Sequence, residues 1–439
     1  MNQTEVIIIG AGAAGLMCAN ELVTAGKTVM VLEARDRTGG RIHTVTDNRF
    51  PLPVELGAEF VHGDLPLTKK ILKESAAKIY ETKGDLWRSQ MGEFVAQEDF
   101  IEDVDQVIEK LKQLLSDISV SDFLDLNFPG EKYVTLRKTL KGYVEGYDAA
   151  DANLASSFAL LQELVGEDEK QYRIQGGYSK LIDHLTEKCI KAGCIVNLQT
   201  IVKEIHWKQG YVEVFDDNGQ SFTAKKIVIT VPLGVLQSSP EDVGHIRFSP
   251  QIDEVQEAIN SLGYGNVIKV ILNFEEPVWK AATNIEAINR KSEPGFIFSD
   301  AIVHTWWTQI PEKNGMITGW LAGPKAIRLQ HESDDKIIHL ALESLAVIFK
   351  IPRVTLQSKL IGSCIHNWFT DEFSRGAYSY ETVHSKKAKT IITTPVEDTL
   401  YFAGEAFYEG SESGTVEAAL VSGQKAAEHI NNVMTKAIR

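Results

Sequence analysis

The spacing of apolar positions changes several times along the chain, and each change marks an element. Residues 6–9 are a continuous apolar run, the pattern of a parallel strand buried on both faces. Residues 13–24 follow at helical spacing and stop at Gly26, and residues 28–32 form a second strand. Val104, Val107, Ile108, Leu111, Leu114, Leu115 and Ile118 recur at i, i+3, i+4, i+7, which predicts an amphipathic helix over 104–118. A second is predicted over 250–262, with Ile252, Val255, Ile259 and Leu262 on one face, Ser249 as N-cap, Pro250 as first residue and Gly263 as stop. Residues 211–216 and 221–231 flank Asp217, Asn218 and Gly219 as a β-hairpin, and 302–309 and 316–322 do the same around Asn314 and Gly315. Residues 399–403 read as a strand, followed by a loop and a long helix from Thr415.

The first strand, turn and helix carry chemistry. Gly10, Gly12 and Gly15, with Ala13 and Ala14 between them, have the GxGxxG spacing. The first glycine permits the sharp turn, the second lets backbone approach a pyrophosphate, and the third allows close helix–strand packing. The helix then offers unpaired N–H groups to phosphate. Glu33 ends the second strand, where an acid can bond a ribose hydroxyl; it disfavours NADP but does not separate NAD from FAD. Ala34 and Arg35 continue into Gly39, Gly40 and Arg41, where paired glycines admit another close approach and the two arginines can neutralise phosphate or a polarised ring. Taken alone, this last segment reads equally as a basic surface loop.

These motifs, GAGAAG and LEARDRTGGR, resemble the flavin amine oxidase superfamily, which includes monoamine oxidases, polyamine oxidases and flavin-dependent histone lysine demethylases. The resemblance continues through Glu55–Gly63 (ELGAEFVHG), residues 172–178 (YRIQGGY), Asn367 and Trp368, residues 375–379 (RGAYS), residues 401–405 (YFAGE) and residues 414–417 (GTVE). It implies an α/β fold: a Rossmann-type FAD-binding domain built from 1–70, 171–245 and 361–439, with an interleaved α+β substrate-binding domain of 71–170 and 246–360. It further implies that Gly57, Ala58 and Glu59 lie at the cofactor, that Val202 places its backbone at the adenine, that Gly404 and Glu405 meet the pyrophosphate and ribityl region, and that Thr415 and Val416 meet the isoalloxazine ring.

Lys269 sits in the middle of an apolar strand, residues 266–272, and a buried ammonium is costly. By pattern alone it is a gatekeeper on an edge strand; the resemblance implies instead a lysine that holds a water at the flavin and supports reoxidation by oxygen. Trp368 and Tyr378 would flank the ring, Tyr378 as one wall of an aromatic cage around the amine nitrogen. Ala377 stands where monoamine oxidases carry the cysteine that links FAD, so non-covalent FAD is expected. Thr415 stands where the second cage tyrosine would be, and His62 matches a tunnel residue of polyamine oxidases; both imply polyamines or related amines as substrate, with molecular oxygen as acceptor. Residues 57–63 lack the arginine with which amino-acid oxidases of the superfamily grip a carboxylate. Monoamine or L-amino-acid oxidation, a desaturase or protoporphyrinogen-type oxidase, and a flavin-carrying interaction factor are the competing readings.

Composition narrows the setting. The 439 residues contain 44% apolar and 24% charged residues, an ordinary globular balance. The net charge of -15 argues against nucleic acid as a partner and suits a cationic ligand. The four cysteines, Cys18, Cys189, Cys194 and Cys364, form no CxxC pair, so neither a metal site nor a disulfide framework is expected. The glycine-interrupted start, without a basic region before it, reads as neither signal peptide nor membrane span, and a cytoplasmic protein is expected.

Overall fold

A computed structural model of the chain describes residues 3–436 apart from 64, 91–92, 98–100, 102–103, 167–169, 282–292 and 411. Its first sheet is parallel throughout, with strand order Ile195–Asn197, Val29–Leu32, Val6–Ile9, Lys226–Ile229, Leu400–Phe402. Val6–Ile9 is central and buried along its whole length, as its unbroken apolar run requires. One face is covered by the helices Ala13–Thr24, Ser179–Lys191 and Val416–Lys436. The first and last of these approach so closely that a Cβ on Gly423 would lie 2.2 Å from the Ala14 carbonyl oxygen. The other face packs on a four-stranded sheet (Ser221–Ala224, Tyr211–Asp216, Val202–Lys208, Arg247–Ser249) and on the helices Asp253–Asn260 and Ser385–Thr393. This is the Rossmann-type domain.

The interleaved α+β part is built on a mixed seven-stranded sheet, ordered Leu360–Asn367, Val267–Phe274, Met316–Ala322, Thr305–Thr308, Pro294–Ser299, Asp85–Gln90, Glu93–Gln97. Helix Asp334–Phe349 packs on it. The short helices Val104–Leu111, Val120–Asn127, Val134–Gly146 and Ser157–Leu164 form a separate apolar cluster beside it.

Several elements depart from the sequence expectation. The helix expected over 104–118 stops at Leu111. Leu115 is fully exposed, and Ser119 starts a new helix by accepting a hydrogen bond from the Asp122 N–H at 3.1 Å. The helix expected over 250–262 spans Asp253–Asn260, with Ile252 rather than Ser249 at the N-cap, because Ser249 is paired with His206 in a strand. The run 221–231 divides: Ser221–Ala224 closes the hairpin, and Lys226–Ile229 crosses into the parallel sheet. Two stretches also pack with the opposite part from the one their expected boundaries gave. Strand Arg247–Ser249 and helix Asp253–Asn260 cover the parallel sheet, whereas Leu360–Asn367 pairs with Val267–Phe274 in the mixed sheet. Apolar side chains alone could not assign these short segments, because either sheet would bury them. Lys269 lies on a strand paired on both sides, so it is not an edge gatekeeper.

Candidate active site

A cavity of about 1450 Å³ runs between the two parts. Of the residues singled out from sequence, Gly10, Gly12, Ala13, Ala14, Glu33, Ala34, Arg35, Gly40, Arg41, Gly57, Ala58, Glu59, His62, Val202, Lys269, Trp368, Tyr378, Gly404, Glu405, Thr415 and Val416 all line it. Gly15 does not; a Cβ there would meet the Gly10 carbonyl oxygen at 2.0 Å, so it serves turn packing.

At the Rossmann end, Gly10 has a φ of 101°, which only glycine adopts readily. Gly12 is different: a Cβ would meet nothing nearer than the Gly39 oxygen at 4.0 Å. Its missing side chain is not required by protein packing, and it opens the helix N-terminus, which no side chain caps, to the cavity. Glu33 accepts the Ala11 N–H at 2.7 Å and the Arg35 N–H at 2.9 Å, which fixes its carboxyl at the turn. Val202 lies beside Thr200 and Ile201 on the same wall. An open glycine, a bare helix N-terminus and an adjacent carboxyl are what a dinucleotide of the FAD type needs, so the residues present fit that group.

The two arginines that line the cavity also have protein partners. Arg35 is held by Asp371 in a bidentate pair (2.9 and 2.5 Å) and by Ser374. Arg41 donates to Glu405 at 2.7 Å and to the Ala377 carbonyl at 2.6 Å, while the other Glu405 oxygen takes the Ser379 hydroxyl at 2.6 Å. Both guanidinium groups therefore brace carboxylates and loops. Thr415, expected at the substrate, caps the C-terminal helix: its hydroxyl donates to the Glu412 carbonyl and accepts from the Ala418 N–H.

In the middle of the cavity, Lys269 is 1% exposed and donates to Glu59 at 2.7 Å and to the Gly57 carbonyl at 3.2 Å. Gly57 is required here, since a Cβ would lie 1.8 Å from the Arg41 carbonyl oxygen. The Glu59 carboxylate also accepts from Arg173 and from the Trp307 indole at 3.0 Å. Burial pushes the Glu59 carboxyl up, but the Lys269 and Arg173 charges outweigh it and bring it to about 2. Sequence reading placed Glu59 at the cofactor; it lines the cavity, yet its carboxylate is occupied by these three donors. Trp368 donates to the Leu56 carbonyl at 3.0 Å, which fixes its ring against the same wall.

Beyond Lys269 the walls are aromatic: Phe60, Phe296, Trp307, Trp320 and Tyr378, with Trp320 and Tyr378 stacked at 6.4 Å. The Tyr378 hydroxyl donates to the Tyr147 carbonyl. His62 stands edge-on to Tyr147 at 6.4 Å, and burial lowers its ring to about 4, so it is neutral at pH 7. Next to Tyr147 lies a pair the sequence did not reveal, Asp148 and Glu163, hydrogen-bonded to each other, with Glu163 also accepting from the Tyr143 hydroxyl. Burial raises both carboxyls; the Glu163 charge and hydrogen bond raise Asp148 further, while the bonds Glu163 accepts offset part of its own rise. The two carboxyls are hydrogen-bonded and titrate together, both above the ordinary carboxylate range. Separated by fifteen positions, Asp148 just past helix Val134–Gly146 and Glu163 within helix Ser157–Leu164, neither carries a local signal. Arg173 and Trp307 were missed for the same reason: each meets Glu59 only in the fold. No helix among the described residues is long and apolar enough to cross a membrane, and all four cysteines are free thiols.

The family model described as flavin containing amine oxidoreductase matches residues 13–431. Polyamine oxidase 2 of Arabidopsis thaliana is 32% identical, over 97% of this chain and 87% of its own length. Polyamine oxidase 3 of Oryza sativa subsp. japonica is 30% identical, over 97% of this chain and 88% of its own. Among solved structures, putrescine oxidase bound to putrescine superposes with a TM-score of 0.80 at 21% identity, covering 99% of each chain, a likeness of fold.

Proposed function

Because this chain belongs to the flavin-containing amine oxidoreductase family and is an FAD-dependent amine oxidase, we propose that its substrate is an extended amine with a second cationic nitrogen, of the polyamine class. The carrying observation is the hydrogen-bonded Asp148–Glu163 carboxyl pair in the same cavity as Tyr378 and Lys269. A distal ammonium can bind these carboxyls, and favours their ionised form, while aromatic walls enclose the methylene chain. A free amino acid brings a carboxylate, which this end of the cavity repels.

The flavin, when bound, supplies two-electron oxidation of the amine C–N bond to an imine, which water opens to aldehyde and amine, and passes the electrons to oxygen as hydrogen peroxide. The turn Gly10–Ala14, with Glu33, Ala34 and the Gly40–Arg41 segment, is assigned its pyrophosphate and ribose, and Val202 its adenine. Gly404, Glu405, Thr415, Val416, Gly57 and Ala58 are assigned the ribityl chain and ring. Ala377 has no nucleophile, so FAD is held without a covalent bond. Trp368 and Tyr378 orient the reacting amine. His62, neutral at working pH, adds no positive charge to repel the substrate. Lys269, buried on the cavity wall, is assigned the stabilisation of the negative charge that oxygen would gain as it is reduced. The acidic net charge favours approach of a cationic substrate, and the free thiols agree with a reducing, cytoplasmic setting.

The test is anaerobic mixing of oxidised protein with putrescine, spermidine, spermine, benzylamine and leucine while flavin absorbance is followed. Polyamines should bleach it fastest. A monoamine or amino acid ahead by about tenfold, roughly 1.4 kcal/mol in barrier, would refute the polyamine assignment.

A further inference from the structure

We propose that Glu59 and Arg173 are positioning residues for Lys269: together they fix its ammonium on the cavity wall and leave the triad with one net positive charge there. The proposal rests on the role assigned above to Lys269 in the reaction with oxygen.

The three side chains come from three distant segments. Glu59 lies on the loop before strand Val61–His62, Arg173 on strand Gln171–Ile174, and Lys269 on strand Val267–Phe274. Their side chains are 6%, 6% and 1% exposed. One Glu59 oxygen takes Lys269 at 2.7 Å; the other takes Arg173 Nε and Nη2 at 3.1 and 2.9 Å and the Trp307 indole. Arg173 is itself oriented by the Thr308 and Ile310 carbonyls at 3.0 and 2.9 Å, and its guanidinium lies 4.6 Å over the Phe60 ring. An ammonium has three donors. Glu59 and the Gly57 carbonyl hold two of them, which turns the third toward the cavity that Lys269 lines.

The charges explain why Arg173 is needed. A Lys–Glu pair alone is neutral, and a neutral pair offers little to an anion forming nearby. Adding Arg173 restores the single positive charge that an isolated lysine would carry, with every charged group hydrogen-bonded. Removing Glu59 alone would leave two buried cations facing each other, and lysine is the one that can shed its proton. Among the described residues, the other titratable groups whose charges interact with Lys269 are Glu55, at the end of strand Val54–Glu55, and His366 and Cys364 from the neighbouring strand Leu360–Asn367.

The test uses the flavin-loaded protein at mildly acidic pH, with oxygen reactivity and anaerobic reduction measured separately by stopped flow. Lys269→Met, Glu59→Gln and Arg173→Met should each slow the oxygen reaction about tenfold or more while reduction changes less than about threefold. The double variant Glu59→Gln/Arg173→Met leaves one cation, and should recover to within about threefold of wild type, above both singles. A merely structural triad predicts the opposite, a double variant worse than either single, and that result overturns the proposal. So do Glu59→Gln and Arg173→Met rates unchanged beside a slow Lys269→Met. An unchanged Lys269→Met overturns both this proposal and the lysine's assigned role.

Thermal unfolding gives a readout apart from turnover. Without Glu59, the Lys269 ammonium would lie buried beside the Arg173 charge with no counter-ion, a cost that rising pH relieves by removing its proton. The deficit of Glu59→Gln relative to wild type should therefore shrink from mildly acidic to alkaline pH, and this shrinkage should vanish in Glu59→Gln/Lys269→Met. Its persistence there overturns the proposal. If Glu59→Gln fails to fold, Arg173→Lys, which keeps the charge, is compared with Arg173→Met: restored oxygen reactivity in the lysine variant supports the proposal, and equal rates in the two overturn it.

Discussion

Replacing Glu163 by Gln removes an ionisable carboxyl from the pair while keeping its size and its hydrogen bond with Tyr143. If the pair receives a distal ammonium, the loss can be bounded. Two unit charges at ~4 Å interact by about 1 kcal/mol in water and about 4 kcal/mol at the effective dielectric near a protein surface. A hydrogen bond to a charged group contributes about 1.5–3 kcal/mol net. Glu163 is largely desolvated and already has partners, which places the loss at about 2–3 kcal/mol, or roughly 30- to 150-fold in kcat/KM. The effect should fall on a diamine and spare a monoamine of equal length, which places no charge at the pair. Asp148→Asn is the internal control. Burial raises Asp148 the more strongly, and an asparagine amide N–H can still donate to Glu163, so the loss should stay below roughly fivefold. Acid should imitate the Gln variant: both carboxyls are raised, so falling pH protonates Glu163 early and lowers the diamine-to-monoamine ratio before ordinary carboxylates titrate. Steady-state kinetics with 1,4-diaminobutane and n-pentylamine, each at several pH values, would measure all of this. Equal losses for diamine and monoamine, or Asp148→Asn as damaging as Glu163→Gln, would refute the reasoning.

Two alanine substitutions in the glycine turn should separate. Gly15→Ala forces a Cβ to 2.0 Å from a carbonyl oxygen and should lower stability by about 1–3 kcal/mol or more. Gly12→Ala meets only open space and should change stability by less than about 1 kcal/mol yet weaken FAD binding; thermal melts and flavin titration read the two. Acid precipitation should leave the flavin in the supernatant, and flavin retained in a washed pellet would contradict non-covalent binding. Glu59 is held at about 2, below the unfolded value of about 4.3, so its stabilisation is complete above the unfolded value and is lost as pH falls toward 2. The loss amounts to about 3 kcal/mol, at 1.36 kcal/mol per pH unit, and Tm in acid should fall less steeply in Glu59→Gln than in wild type.

Much of the fold was legible because local pattern and long-range pairing agreed. The helix Ala13–Thr24 was placed to the residue, since its start is a glycine turn and its face is uniformly buried. The lining of the cofactor end was legible because glycine spacing is a backbone constraint that survives without any knowledge of contacts. What could not be read were side-chain partners across the fold. Nothing local says that Arg35 and Arg41 also hold Asp371 and Glu405, more than three hundred residues away. Lys269 looked solitary until Glu59 and Arg173 met it. Asp148 and Glu163 carry no signal in the sequence, because nothing local says that the segments holding them line a cavity. Helix lengths failed where apolar spacing ran past a turn, as at Leu115.

The closeness of the first and last helices has a consequence for how the protein is made. Strand Leu400–Phe402 completes the parallel sheet, and helix Val416–Lys436 packs directly on helix Ala13–Thr24. The glycine turn leaves the ribosome about four hundred residues before its packing partner. Until that partner emerges, an apolar helix and one margin of the sheet stay uncovered, a state prone to association with other chains. Pairings this far apart in sequence also close slowly. A chain cut before residue 400 would keep the whole dinucleotide motif and still be unable to build the domain that displays it.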